Sequence, residues 1–170
     1  PTDTQSTTFK SGATALNLVS AGTDATNDNG VSLTGTALAT LTVTGSEDVD
    51  VTANASKVLA TADFSGSTAE EINFSASAST VAMTYKTAAG TSTSGLTTGS
   101  GADTITLGDL ADTVSGSGKG DDTITAGGGN DTITDAGAGA DTITLGAGDD
   151  TVTSAGAGND TITGGAGIDT

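Results

Sequence analysis

Eight aspartates recur down the second part of the chain: Asp103, Asp112, Asp122, Asp131, Asp141, Asp150, Asp160 and Asp169, with spacings of 9, 10, 9, 10, 9, 10 and 9. Glycine-rich stretches precede them, as in Ala126-Gly-Gly-Gly-Asn-Asp131-Thr-Ile-Thr134 and Leu145-Gly-Ala-Gly-Asp-Asp150-Thr-Val-Thr153. A carboxylate is a hard oxygen donor. Glycine allows the tight, positive-φ turns that bring backbone carbonyls inward. Hard, oxygen-rich turns of this kind suit Ca²⁺, which takes about six to eight oxygen ligands, many of them carbonyls. The chain has no Cys and no His. That argues against softer metals and removes a thiolate zinc site, a Ser-His-Asp triad and an imidazole base.

The spacing also fixes the elements that must hold these groups. The extra residue falls at Gly116, Asp135 and Ser154, which are themselves 19 apart. The repeat is therefore 19 residues, made of two unlike halves. The simplest object with that period is a coil of two short strands and two turns, one turn a residue longer than the other. Stacked coils place Asp103, Asp122, Asp141 and Asp160 along one edge, and Asp112, Asp131, Asp150 and Asp169 along the other. Each aspartate opens a strand of period two. Ile105, Val114, Ile124, Ile133, Ile143, Val152 and Ile162 take the middle position and point inward, with the flanking threonines outward. The core is thin. Coils stacked at roughly 4.8 Å bring edge carboxylates close enough to oppose the fold unless a counterion joins them.

These units resemble the RTX nonapeptide, G-G-x-G-x-D-x-U-x, over about residues 98–170. The resemblance implies a right-handed parallel β-roll or β-solenoid, all-β, with Ca²⁺ between same-edge turns. It implies Asp103, Asp112, Asp122, Asp131, Asp141, Asp150, Asp160 and Asp169 as metal ligands, and about six ions. The pattern departs from the motif in three ways. The first Gly is usually Ala, Ser, Thr or Leu. Leu110 stands where the unit of Asp112 should have its second Gly, in the gap between Asp112 and Asp131. The coil is 19 residues rather than the usual 18. Asp121 and Asp149, just before repeat aspartates, read as solvated turn residues.

Bulk composition alone points elsewhere. Ten Leu, nine Val, seven Ile and three Phe make 29 of 170 residues, and the net charge is −17. That is below the roughly 20% at which a highly charged chain is expected to be disordered. Six Ca²⁺ ions would add 12 charges to residues 98–170, where 12 acids face one lysine. The composition thus suits a metal-free chain that is disordered and a loaded one that is folded. Four lysines and no arginine exclude a nucleic-acid partner. No apolar run is long enough to insert in a membrane, and no signal-peptide pattern follows Pro1. The sequence stops inside a repeat unit, which predicts a piece of a longer chain.

Residues 1–97 are less regular and carry a net charge of −6. Short strands are predicted at Ala15–Val19, Leu38–Thr44, Val49–Thr52, Ile72–Ser75 and Val81–Tyr85. Asn29-Gly30 predicts a tight turn, and Asn54–Phe64 is the best candidate for one helical turn. The whole reads as an irregular Ser/Thr/Ala-rich β-solenoid (1–97) continuing into the roll (98–170). Asp24, Asp28 and the cluster Glu47-Asp48-Val49-Asp50 are further acids, with a solvated acidic turn favoured for the cluster over a calcium site. Asp24–Gly30 fails the EF-hand spacing, because Ala25 falls at the first ligand position. Glu70-Glu71 reads as an exposed pair, and the glycines match no nucleotide-binding loop.

No catalytic residues are identified, and the chain is not expected to be an enzyme. Ala/Thr/Ser/Val-rich sequence followed by RTX units resembles bacterial surface-layer (S-layer) proteins secreted by the type I route. That resemblance implies an extracellular, cell-surface location, self-association into a lattice, and a cell-surface glycan as a further partner. Two alternatives stand beside it. One is an RTX module of a larger adhesin or exoenzyme. The other is an ice-binding solenoid, using the T-x-T ladder of Thr104/Thr106, Thr123/Thr125, Thr142/Thr144 and Thr161/Thr163.

Overall fold

The computed structural model describes residues 12–21 and 29–170. Asp24 and Asp28 lie outside the described residues. Strands alternate between two parallel sheets, one strand of each per coil, and no helix occurs among the described residues. The first sheet runs β1 (Ala15–Ser20), β3 (Thr40–Gly45), β5 (Thr61–Ser67), β7 (Thr84–Thr87), β9 (Thr104–Thr106), β11 (Thr123–Gly128), β13 (Thr142–Ala147), β15 (Thr161–Ala166). The second runs β2 (Asn29–Ser32), β4 (Val49–Thr52), β6 (Glu71–Ser75), β8 (Ser92–Thr97), β10 (Thr113–Gly116), β12 (Thr132–Ile133), β14 (Thr151–Val152). This is an all-β parallel solenoid of about 7 turns.

Coil length converges along the chain. In the first sheet Ala15 pairs with Thr40, Thr40 with Thr61, Thr61 with Thr84 and Thr84 with Thr104, steps of 25, 21, 23 and 20. From there Thr104 pairs with Thr123, Thr123 with Thr142 and Thr142 with Thr161, each step 19. Both sheets cross residue 97 without a break, through β7–β9 and β8–β10.

The core follows the coil length. Irregular coils enclose larger side chains: Phe64, Phe74 and Tyr85 are fully buried and pack edge-to-face or tilted, with centroids 5.3–5.6 Å apart. In the repeats the space between sheets narrows to branched aliphatics. Ile105, Val114, Ile124, Ile133 and Ile143 are buried as the alternation predicts, and Val152 packs partly buried against them. Ile162 is the exception at 47% exposed, because no later strand covers β15. Leu107, Ala126 and Leu145 form a second inward column. They stand where the RTX motif has its first glycine. That position points into the core here, which is why it carries side chains.

Three local expectations are corrected or refined. Asn29-Gly30 is not a turn: both residues are in β2 and pair in parallel with Val49 and Asp50. A parallel coil has no tight hairpin for such a dipeptide to make. Asn54–Phe64 forms no helix. Asn54 and Ala55 make a turn, and β5 begins at Thr61. The Val81–Tyr85 strand starts only at Thr84, residues 81–83 belonging to the preceding turn region.

Candidate metal centre

Seven of the eight repeat aspartates sit at the last position before a strand; Asp169 follows the final strand, β15. Asp103, Asp122, Asp141 and Asp160 precede strands of the first sheet; Asp112, Asp131 and Asp150 precede those of the second. The two predicted rows therefore lie on opposite edges. Backbone hydrogen bonds hold the rows in register: Thr123 N–H donates to Asp103 O, Thr142 to Asp122 O and Thr161 to Asp141 O, each at 2.8 Å.

The side chains point back along the stack. The backbone N–H of Asp103 donates to Asp122 Oδ1 at 2.7 Å, that of Asp122 to Asp141 Oδ1 at 2.9 Å, and that of Asp141 to Asp160 Oδ1 at 3.0 Å. On the other edge Asp112 N–H donates to Asp131 Oδ1 at 2.9 Å, Asp131 to Asp150 at 2.8 Å, and Asp150 to Asp169 at 3.2 Å. One oxygen of each carboxylate thus clamps the coil before it. The other is different. Oδ2 of Asp103, Asp112, Asp122, Asp131, Asp141 and Asp150 is buried with no hydrogen-bond partner. All six residues are 1–2% exposed. Uncompensated burial of a carboxylate is costly. Accordingly, burial pushes Asp112 and Asp122 up to about 6 and Asp131 up to about 7, with neighbouring aspartates adding repulsion at Asp122 and Asp131. Asp103 and Asp141 are raised for the same first reason.

The turns supply a second set of oxygens. A Cβ on Gly118 would lie 1.6 Å from Gly99 O, one on Gly137 2.1 Å from Gly118 O, and one on Gly156 1.7 Å from Gly137 O. On the other edge Gly127, Gly146 and Gly165 meet Gly108, Gly127 and Gly146 O at 1.9–2.0 Å. Each coil therefore presses carbonyl oxygens against the next, in space only glycine leaves open. Among the described residues no three carboxylates gather in one place. A cation held here would take one aspartate per gap and fill its shell with carbonyls, a donor set that fits Ca²⁺. The Leu110 departure leaves this frame in place: Gly129 still closes on Leu110, and Asp131 still clamps Asp112.

Other acids have different work. Asp121, Asp149 and Asn130 accept a backbone N–H from the coil after them: Ala140 to Asp121 Oδ1 and Ile168 to Asp149 Oδ1 at 2.9 Å, Asp149 to Asn130 Oδ1 at 3.0 Å. This outer ladder points forward, opposite to the inner one, and its members are exposed. Asp48 Oδ1 accepts the N–H groups of Glu70 and Glu71 at 2.9 and 2.8 Å, tying two acidic turns together. The sequence reasoning missed Thr98 and Ser117. They are buried on the first edge, and their hydroxyls donate to Ser117 O and Ala136 O one coil on. Their signal was the hydroxyl at the first-glycine position.

A family model for the RTX calcium-binding nonapeptide repeat, in four copies, matches residues 96–118, 108–134 and 135–170. The curated proteins and the solved structures give no match. Repeats of this family bind Ca²⁺, are typically structural or binding modules, and belong to proteins that are generally secreted. Matched repeats, 19-residue parallel coils and two rows of inward aspartates agree: residues 96–170 are an RTX calcium-binding β-roll.

Proposed function

We propose that this chain is a calcium-folded structural segment of a secreted bacterial protein, built into a surface layer outside the cell. The observation that carries it is the pair of rows of buried aspartates whose Oδ2 atoms lack any partner. Across the six gaps between repeat coils, Asp122, Asp131, Asp141, Asp150, Asp160 and Asp169 each give a carboxylate oxygen, and the glycine-turn carbonyls complete each shell. The ion supplies positive charge where two coils would otherwise repel. This chain's residues do the rest: Oδ1 fixes the coil behind, the isoleucine column excludes water, and the glycines permit close approach.

The energetic consequence follows from linkage. A site with Kd of about 100 µM, in the range of extracellular calcium modules, contributes about 1.4 kcal/mol at millimolar Ca²⁺. Six such sites give roughly 8 kcal/mol, comparable to a whole domain's stability. At submicromolar calcium the contribution vanishes, so the chain is unfolded inside the cell and folds outside. Amide hydrogen exchange with and without chelator tests this. Protection over residues 98–170 should need calcium; protection that survives thorough chelation sinks the proposal.

The same turns support a module within a larger adhesin or exoenzyme. Adding Ca²⁺ to purified protein separates the two. Two-dimensional sheets visible by electron microscopy favour the surface layer, and folded particles that stay monodisperse favour the module.

A further inference from the structure

The inner ladder has a direction, and that direction changes the number of gaps. Each repeat aspartate reaches back to the coil before it. Six of them reach another repeat turn. Asp103 and Asp112 reach residues outside the matched repeats: Asp103 Oδ1 accepts Met83 N–H at 2.8 Å, and Asp112 Oδ1 accepts Thr93 N–H at the start of β8. Their Oδ2 atoms are as buried and unpartnered as those further along.

The turns behind them copy the repeat frame without its sequence. A Cβ on Gly99 would meet Ser79 O at 2.1 Å, and one on Gly101 would meet Val81 O at 2.3 Å. The next gap repeats this pairing, with Gly118 on Gly99 O and Gly120 on Gly101 O. Ser100 N–H donates to Ser79 O at 2.8 Å, as Lys119 does to Gly99 O and Ala138 to Gly118 O. On the other edge three carbonyls converge on Gly108, with Ala88 O at 2.4 Å from its Cβ position and Ala89 O and Thr91 O at 3.0 Å. Asp109 N–H donates to Ala89 O at 2.8 Å, as Gly128 does to Gly108 O. Residues 79–83 contain neither Gly nor Asp. They do not need them, because the carboxylate comes from the later coil.

We propose that the row of cations extends one coil beyond the repeats on each edge, through two further Ca²⁺ sites. One lies between Asp103 and the carbonyls of Ser79 and Val81, the other between Asp112 and those of Ala88, Ala89 and Thr91. This rests on the calcium reading of the repeats and raises the expected count from six ions to eight. It also makes the irregular coils a calcium-linked cap on the roll.

Tyr85 gives a local reporter. It is the only tyrosine, and the chain has no tryptophan. Its hydroxyl lies 3.5 Å from Thr93 Oγ1, and Thr93 N–H is bound by Asp112. Tyrosine-sensitised Tb³⁺ emission falls steeply with distance, so it reports the ions nearest this ring. The experiment uses the full chain. Equilibrium dialysis against Ca²⁺ should give eight ions, with one lost in each of Asp103→Asn, Asp112→Asn and Asp160→Asn. Sensitised emission should drop in Asp112→Asn and persist in Asp160→Asn. Six ions in the wild type, or a count unchanged by Asp103→Asn and Asp112→Asn while Asp160→Asn loses one, overturns the extension alone. No bound ion in any form overturns the calcium reading with it. If a variant does not fold, the wild-type count still decides between eight and six.

Discussion

Replacing Gly137 with Ala isolates what the turn glycines do. Gly137 has φ +99°, and an added Cβ would stand 2.1 Å from Gly118 O. That carbonyl already accepts the Ala138 N–H at 3.0 Å. A side chain at positive φ costs roughly 1–2 kcal/mol. Relieving the overlap means prising the coils apart and weakening a hydrogen bond worth about 1 kcal/mol. Together these predict a loss of about 3 kcal/mol, or roughly 6–12 °C in Tm for a chain this size. Because the same opening pulls Gly118 O out of the gap, calcium affinity should fall as well. Gly116→Ala is the control: nothing lies within 4 Å of its Cβ position and its φ is not in the left-handed region. It should stay within about 0.5 kcal/mol of wild type. Thermal unfolding at saturating calcium and a calcium titration followed by circular dichroism measure both variants. A Gly137→Ala protein as stable as Gly116→Ala, with an unchanged calcium midpoint, would refute the reasoning.

Three further outcomes are expected. With Asp112 and Asp122 raised to about 6 and Asp131 to about 7, against about 3.9 unfolded, the metal-free fold holds more protons than the unfolded chain. Its stability therefore increases as pH falls from 8 towards 5. Calcium binding moves oppositely, weakening by about tenfold at the first two residues and about a hundredfold at Asp131 by pH 5; β signal in metal-free buffer that is weaker at pH 5 than at pH 8 contradicts this. Ile143→Ala, at a fully buried position, should cost about 2–5 kcal/mol, and Ile162→Ala, half exposed, clearly less; equal losses in chemical denaturation would mean the column is not the core. Asp149→Asn should leave the calcium count unchanged by dialysis, since Asn130 already fills the same forward ladder one coil earlier.

The roll was legible because one rule repeats. A strict period of 19 leaves a single way to stack Ile105 on Ile124 and Ile143, and the aspartates follow in register. The earlier coils obey the same architecture with unequal turns. Their strands were visible as local alternation at Ala15–Val19 and Val49–Thr52, but their spacing carried no period. Asn29-Gly30 misled because the dipeptide's preference is for a hairpin, and neighbouring parallel strands overrode it. At the site, the residues bearing carboxylates could be read from sequence. Met83, Thr93, Ser79 and Val81 could not, because they contribute only backbone, and a carbonyl is available at every residue type.

The coil also has a mechanical side. Nineteen residues stacked as one coil advance the molecule by only about 4.8 Å along its axis. Pulled straight, the same residues span roughly 63–68 Å. The roll is therefore a store of length, released about 60 Å at a time as successive coils peel away. The inner carboxylates clamp backwards at every repeat seam, and Asp121, Asn130 and Asp149 clamp forwards at three of them, so those three are fastened from both sides. Such a segment would yield under load in discrete, refoldable steps and draw itself short again when the pull is released.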